Sequence, residues 1–174
     1  MLRRALLLTS PAMLLAACTV TKNGSSTTIT IDTHKVDTNG TAILQALNSV
    51  LAAPSIAILL GPNLAIAEAA VVAAQAALAA FDSLTGGSLS ATYDPAKAQA
   101  TILSFISDTQ QVLSIVQQVL PKISVSSTAT SVGNYIAAVQ TLLAFLPVAI
   151  GLASVSITAP PQMTEAQALQ IATH

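Results

Sequence analysis

Only one cysteine is present, Cys18, so no internal disulfide can form even in an oxidising compartment. Charge is nearly as scarce. Asp, Glu, Lys and Arg make up 7% of the chain, against roughly 25% in an average soluble domain. Basic residues number six, two of them at the extreme N-terminus, which leaves no basic patch to displace counterions from a phosphate backbone and excludes nucleic acid as the expected partner. There are two histidines, His34 and His174, whereas a metal site needs three or four ligands. Phosphate-cradling P-loop and GxGxxG patterns are absent. So is G-x-S-x-G, which "GGSLS" at Gly86 to Ser90 matches only superficially. What the chain has instead is apolar residues, at 53%, with alanine prominent among them; this excludes intrinsic disorder. From Thr38 to Ala67, and again from Ile123 to Thr164, no residue is charged. Such a chain either packs a tight helical core or touches a bilayer.

The lone cysteine has an informative position. Arg3 and Arg4 precede an uncharged run, "ALLLTSPAMLL" (Ala5 to Leu15), and then the small residues Ala16 and Ala17. A positive n-region, a short apolar h-region and small residues are the layout of a secretory signal peptide, and the run is too short to span a membrane comfortably. Leu15-Ala16-Ala17-Cys18 closely resembles the lipobox of bacterial lipoproteins. That resemblance implies diacylglycerol on the Cys18 thiol, cleavage between Ala17 and Cys18 by signal peptidase II, and palmitate-type acyl chains on the new N-terminus. It also implies membrane attachment facing the periplasm of a cell envelope. Thr19, rather than Asp, follows the cysteine, which is similar to outer-membrane rather than inner-membrane lipoproteins of enteric bacteria. The resemblance covers only this segment. An ordinary signal peptide with a coincidental cysteine, and a retained N-terminal anchor, are the alternatives.

Residues 18–40 then read as a lipidated cysteine, a flexible polar tether ("TVTKNGSSTT") and a short strand, because Ile29 and Ile31 alternate with polar residues in "TTITIDTHKV". "DTNG" at Asp37 to Gly40 ends that strand. Residues 41–174 read as one all-α domain, an Ala-rich bundle of about four helices with a short C-terminal helix. The first helix is expected over 41–53, stopped by Pro54, and a hydrophobic connector "SIAILLGPN" follows it. The second runs over 63–84 with a seven-residue seam (Leu64, Val71, Leu78; Ala67, Ala74, Phe81) and is closed by Gly86-Gly87. The third is capped by Asp94-Pro95 and ends at Pro121, with an apolar stripe through Ile102, Ile106, Leu113 and Val116 interrupted by Thr109. A polar linker is expected over 124–133, and a fourth helix over 134–154, kinked at Pro147. Thr164 and Gln167 form a capping box that opens the last helix.

Ile136 to Val155 has the length and apolarity of a membrane span, yet it contains Gln140 and Pro147 and has neither flanking Lys or Arg nor an aromatic belt beyond Tyr135. A buried bundle helix is the first reading and an inserted helix the alternative. Among residues able to do chemistry, Asp32 and His34 share one face of the expected strand with only Asp37 nearby, which reads as a solvated polar face rather than a metal site. Glu68 is out of place in "NLAIAEAAVVAA", where it is either an exposed position, an ion-pair partner of Lys97 or Lys122, or a buried carboxyl. Asp82 and Asp94 read as helix-end residues. No catalytic, cofactor or metal set can be assembled, so an enzyme is not expected. The expected function is a lipid-anchored envelope protein whose non-catalytic bundle acts by protein or membrane-surface interaction. The first alternative is a membrane-inserting, pore-forming or holin-like protein. The second is an apolar-ligand carrier with its ligand between the helices.

Overall fold

A computed structural model describes residues 20–23, 26–29, 32–86, 95–151 and 163–174. The signal segment and Cys18 lie outside the described residues, as does Asp94. The order is β1 (Val20–Asn23), β2 (Ser26–Ile29), α1 (Thr33–Ala52), α2 (Pro54–Leu60), α3 (Asn63–Thr85), α4 (Pro95–Val119), a 3-10 turn (Leu120–Lys122), α5 (Ser126–Ala149) and α6 (Glu165–Ala172). The domain is an all-α bundle. Its long helices are α1, α3, α4 and α5, while the two strands pair only with each other, from Val20–Ile29 to Asn23–Ser26.

The chain enters α1 earlier than periodicity predicts. A strand over 27–36 ending at a "DTNG" turn was the expectation, but β2 stops at Ile29 and Thr33 to Gly40 are helical. Three side chains explain the correction. The Asp32 carboxylate accepts the Lys35 amide N–H at 3.0 Å and so starts the helix. Val36, fully buried, extends the apolar face of Ile43, Leu47 and Val50 back by two turns. Gly40 is a packing glycine rather than a turn glycine: a Cβ there would stand 2.8 Å from Leu78 Cδ1 on α3. Asn39, also buried, donates to Glu165 Oε1 at 2.8 Å, so its amide is satisfied across the fold.

Pro54 ends α1 as expected, but the expected connector is itself helical. Pro54 opens α2, Ile56 and Leu60 bury four residues apart, and Gly61 at φ 53° stops it. The axis turns by 77° between α1 and α2. α3 follows the seven-residue seam, with Val71, Leu78, Ala67, Ala74 and Phe81 buried, and ends on left-handed Gly86. α3 and α4 pack most extensively, an approach that the alanines of α3 permit. α5 begins at Ser126, inside the stretch expected to be a linker. Val132 is buried and the Thr130 hydroxyl donates back to the Ser126 carbonyl at 2.9 Å, so polar composition there marks an exposed helical face. Pro147 lies inside α5, which ends two residues later at Ala149. The capping box of α6 forms as expected: the Gln167 N–H reaches Thr164 Oγ1 at 3.3 Å, and the Thr164 N–H reaches Gln167 Oε1 at 3.0 Å.

Contacts fix the directions. Gly40 meets Leu78 near the start of α1 and the end of α3, whereas Leu51 meets Glu68 and Val71 at their other ends. Lys35 lies over the Phe145 ring, so the start of α1 is beside the end of α5. Ala46, Leu47 and Val50 face Leu113, Val116, Ile136 and Val139. The long helices therefore run up, down, up, down. The tether enters at the pole holding Asp37, Asp82, Lys97 and α6; the opposite pole holds α2 and the 3-10 turn. Where α1, α4 and α5 meet, the void measures about 10 Å³, room for one water-sized sphere among apolar walls and none for a lipid-like ligand.

Among the described residues one buried polar atom is unmatched: Oγ1 of fully buried Thr109 on α4 has no hydrogen-bond partner. Thr109→Val keeps the shape and removes the desolvated hydroxyl. It should stabilise the fold by about 1 kcal/mol, raising the melting temperature by roughly 2–4 °C, readable by circular dichroism.

Candidate functional site

The residues singled out for metal binding are dispersed by the helical start of α1. Asp32 is spent as a cap, and His34 and Asp37 are exposed on the first turns. Among the described residues no group of three or more His, Cys, Asp or Glu is placed to hold a metal ion. His174 is exposed beyond α6, at an open depression of about 560 Å³ with Met163, Gln167 and Ile171. Gly86 is a helix cap.

Lys35 and Glu165 form a polar clamp. The Lys35 ammonium is 2.8 Å from Glu165 Oε2 and 5.3 Å from the Phe145 ring centre, while Asn39 takes the other Glu165 oxygen. One carboxylate thus joins α1 to α6, and the ammonium joins both to α5. The role is structural: all four groups answer one another.

Asp82 is different. Half-buried in the last turn of α3, it is pushed above the ordinary carboxylate range, first by burial and then by the charge of Asp37 on α1. A carboxylate near a helix C-terminus also opposes the helix dipole. The folded state therefore holds this proton more tightly than the unfolded state does. Ionised Asp82 costs stability at neutral pH, and the cost fades as pH falls through the raised value toward 3.8. Asp82→Asn should raise the melting temperature at pH 7 by an amount worth about 0.3–1 kcal/mol, with the two proteins converging near pH 3. A pH series of thermal melts reads this directly.

Glu68 lies neither in the core nor in an ion pair. It is exposed on the first half of α3, and among the described residues it is not bridged to Lys97 or Lys122, so of the three readings of the sequence the exposed helix position is the one that holds. It lines a groove of about 400 Å³ between α1 and α3. The cause of the groove is the α1–α2 break: past Ala52 the chain turns by 77°, and α3 is left uncovered on that side. Asn48 of α1 and Gln75 of α3 complete its polar rim, and Leu51 and Val71 form its floor. The Asn48 and Gln75 amides make no hydrogen bond to another described group. Periodicity marked Glu68 as unusual, but no local signal links it to Asn48.

The outer face of α3 is apolar as well. Ile66 is 49% and Val72 62% exposed, and Ile58 of α2 is 80% exposed. By length and composition α3 and α5 are each able to cross a membrane, with mean hydropathy 1.9 and 1.5; one third of the α3 window and 56% of the α5 window are buried within the bundle. The apolar stretch at 136–155, read first as a buried bundle helix and alternatively as a span, falls on α5 over 126–149, with residues 152–155 outside the described ones.

No family model, curated protein or solved structure matches the chain.

Proposed function

We propose that the protein is a bacterial lipoprotein: a cell-envelope protein acylated on Cys18, whose non-catalytic helical bundle faces the periplasm and works by contact with an envelope protein or the membrane surface. The observation that carries this reading is Leu15-Ala16-Ala17-Cys18 behind Arg3-Arg4 and an apolar run. The architecture is compatible with it. The long helices bury their seams against each other, and the chain reaches the bundle at one pole, where the stretch after Cys18, expected as a flexible tether but paired as the β1–β2 hairpin, separates the anchor from α1. Outer-membrane placement follows from Thr19 and belongs to the same proposal.

Insertion into the bilayer is the second reading, and α3 favours it, because that helix combines a mean hydropathy of 1.9 with an outer face of Ile66, Val72 and alanines. One experiment separates the two. A chain beginning after Cys18, expressed without an anchor, should sediment in detergent-free buffer as a helical monomer or small oligomer that melts cooperatively. Recovery only in carbonate-resistant membranes would put the pore-forming or holin-like reading first. The void at the α1–α4–α5 junction gives the carrier reading no support.

A further inference from the structure

We propose that the α1–α3 groove is a binding site for a primary alkylammonium group, with Glu68 as its counter-ion, the Asn48 and Gln75 amides as hydrogen-bonding neighbours and Leu51 and Val71 beneath its carbon chain. The inference does not depend on acylation of Cys18.

Volume and lining set the class of ligand. About 400 Å³ lies within the range of small-molecule sites, which are apolar clefts with a few placed polar groups. The floor accepts a short hydrocarbon. Its rim offers a carboxylate and two amide oxygens, the acceptors that an ammonium with three donors needs. An anion would meet the Glu68 charge, and a purely apolar ligand would cover that carboxylate and both amides without replacing their water.

Charge complementarity gives the sign. Between Val36 and Ala96 the sequence contains no Lys or Arg, only Asp37, Glu68, Asp82 and Asp94. The cation just before this segment, Lys35, is held by Glu165. Glu68, Gln75 and Asp82 are seven residues apart and so share one edge of α3, and Asp82 already stands at a cost beside Asp37. The α1–α3 seam thus carries Glu68 at its open end and Asp37 with Asp82 at the other, where Lys97 of α4 also lies; no cation of α1 or α3 stands beside Glu68. At its open end, the groove takes a cation from solution.

Two sources share this chemistry, a free amine and a lysyl side chain of a partner protein. The test uses the full 174-residue chain, labelled with ¹⁵N so that the Asn48 and Gln75 side-chain NH₂ signals report on the rim and those of Gln111 and Asn134 serve as remote controls. n-Pentylamine should shift the two rim signals, with saturation in the millimolar range, and leave the controls in place. 1-Pentanol should bind more weakly. Glu68→Gln should weaken pentylamine binding by about threefold or more at low salt, and added salt should narrow the difference. N-acetyl-lysine methylamide is the second arm: tighter binding than pentylamine identifies a lysyl side chain as the natural occupant, weaker binding a free amine. Equal shifts with pentanol and pentylamine, or a Glu68→Gln protein that binds pentylamine unchanged, would overturn the assignment. Because Glu68 is exposed, the variant is expected to fold, and unchanged backbone signals would establish that it does.

Discussion

Leu142→Arg should abolish the cooperative melt of the bundle, whereas Ala73→Arg should leave it within about 0.5 kcal/mol of the parent. Leu142 is fully buried on α5, with Leu143 and Leu146 beside it. An arginine there must either bring a charge into an apolar core with no acid to meet it or force the helices apart. Among the described residues, the acids of the bundle lie on α1, α3, α4 and α6, and none lies on α5. A buried unpaired charge costs several kcal/mol, comparable to the whole stability of a domain of this size. Ala73 lies on the outer face of α3, exposed and near its middle. Arginine is nearly as good a helix former as alanine, so in water the exchange touches little. In a bilayer the same position would be the centre of a span, where arginine costs about 2.5–3.5 kcal/mol by insertion scales. Measured together, the variants therefore report on the environment of each helix. A soluble, normally melting Ala73→Arg protein supports a water-facing α3. An Ala73→Arg protein that is lost from membranes and degraded would sink the water-facing bundle, whatever Leu142→Arg does.

The legible parts of this fold were those written in local chemistry. Pro54 ends α1 and opens α2, Gly86 adopts the left-handed cap, and Thr164 with Gln167 closes a reciprocal pair of hydrogen bonds within one turn. The seven-residue seam of α3 was legible for the same reason, since its period is local, and five of its six positions are buried. Asp37 to Gly40 was misread because its cues are cancelled by distant residues. Leu78 needs the space that Gly40 leaves, and Glu165, 126 residues away, answers the Asn39 amide. Ser124 to Gly133 was misread because a run of Ser and Thr is consistent with a linker or with the wet side of a helix, and only the burial of Val132 decides. The groove is the extreme case. Glu68 was conspicuous in sequence, but Asn48 becomes its neighbour only because α1 and α3 are antiparallel and α2 swings away.

Cys18→Ser should eliminate lipid labelling completely and stop the precursor from being cut. The thiol is the only group on the chain that can form the thioether, because no second cysteine exists. On the proposed reading, acylation precedes cleavage, so the serine variant keeps residues 1–17 and migrates as a heavier species that takes up no radiolabelled palmitate. Retention in membranes is the wrong readout for this variant, since the uncut apolar run from Ala5 to Leu15 can itself hold the chain there. Mass and label are the right ones. The size of the expected effect follows from the anchor. One myristoyl-length chain binds a bilayer with a constant of only about 10⁴ M⁻¹, and stable attachment takes a second. Loss of the single modified residue removes every chain at once rather than weakening the anchor by degrees. A wild-type protein that takes no label, together with a serine variant cut at the same place, would instead identify an ordinary secretory signal with a coincidental cysteine. The bundle would then be free in the periplasm, and among the described residues the exposed apolar side chains of Ile58, Ile66 and Val72 would be the first candidates for membrane contact.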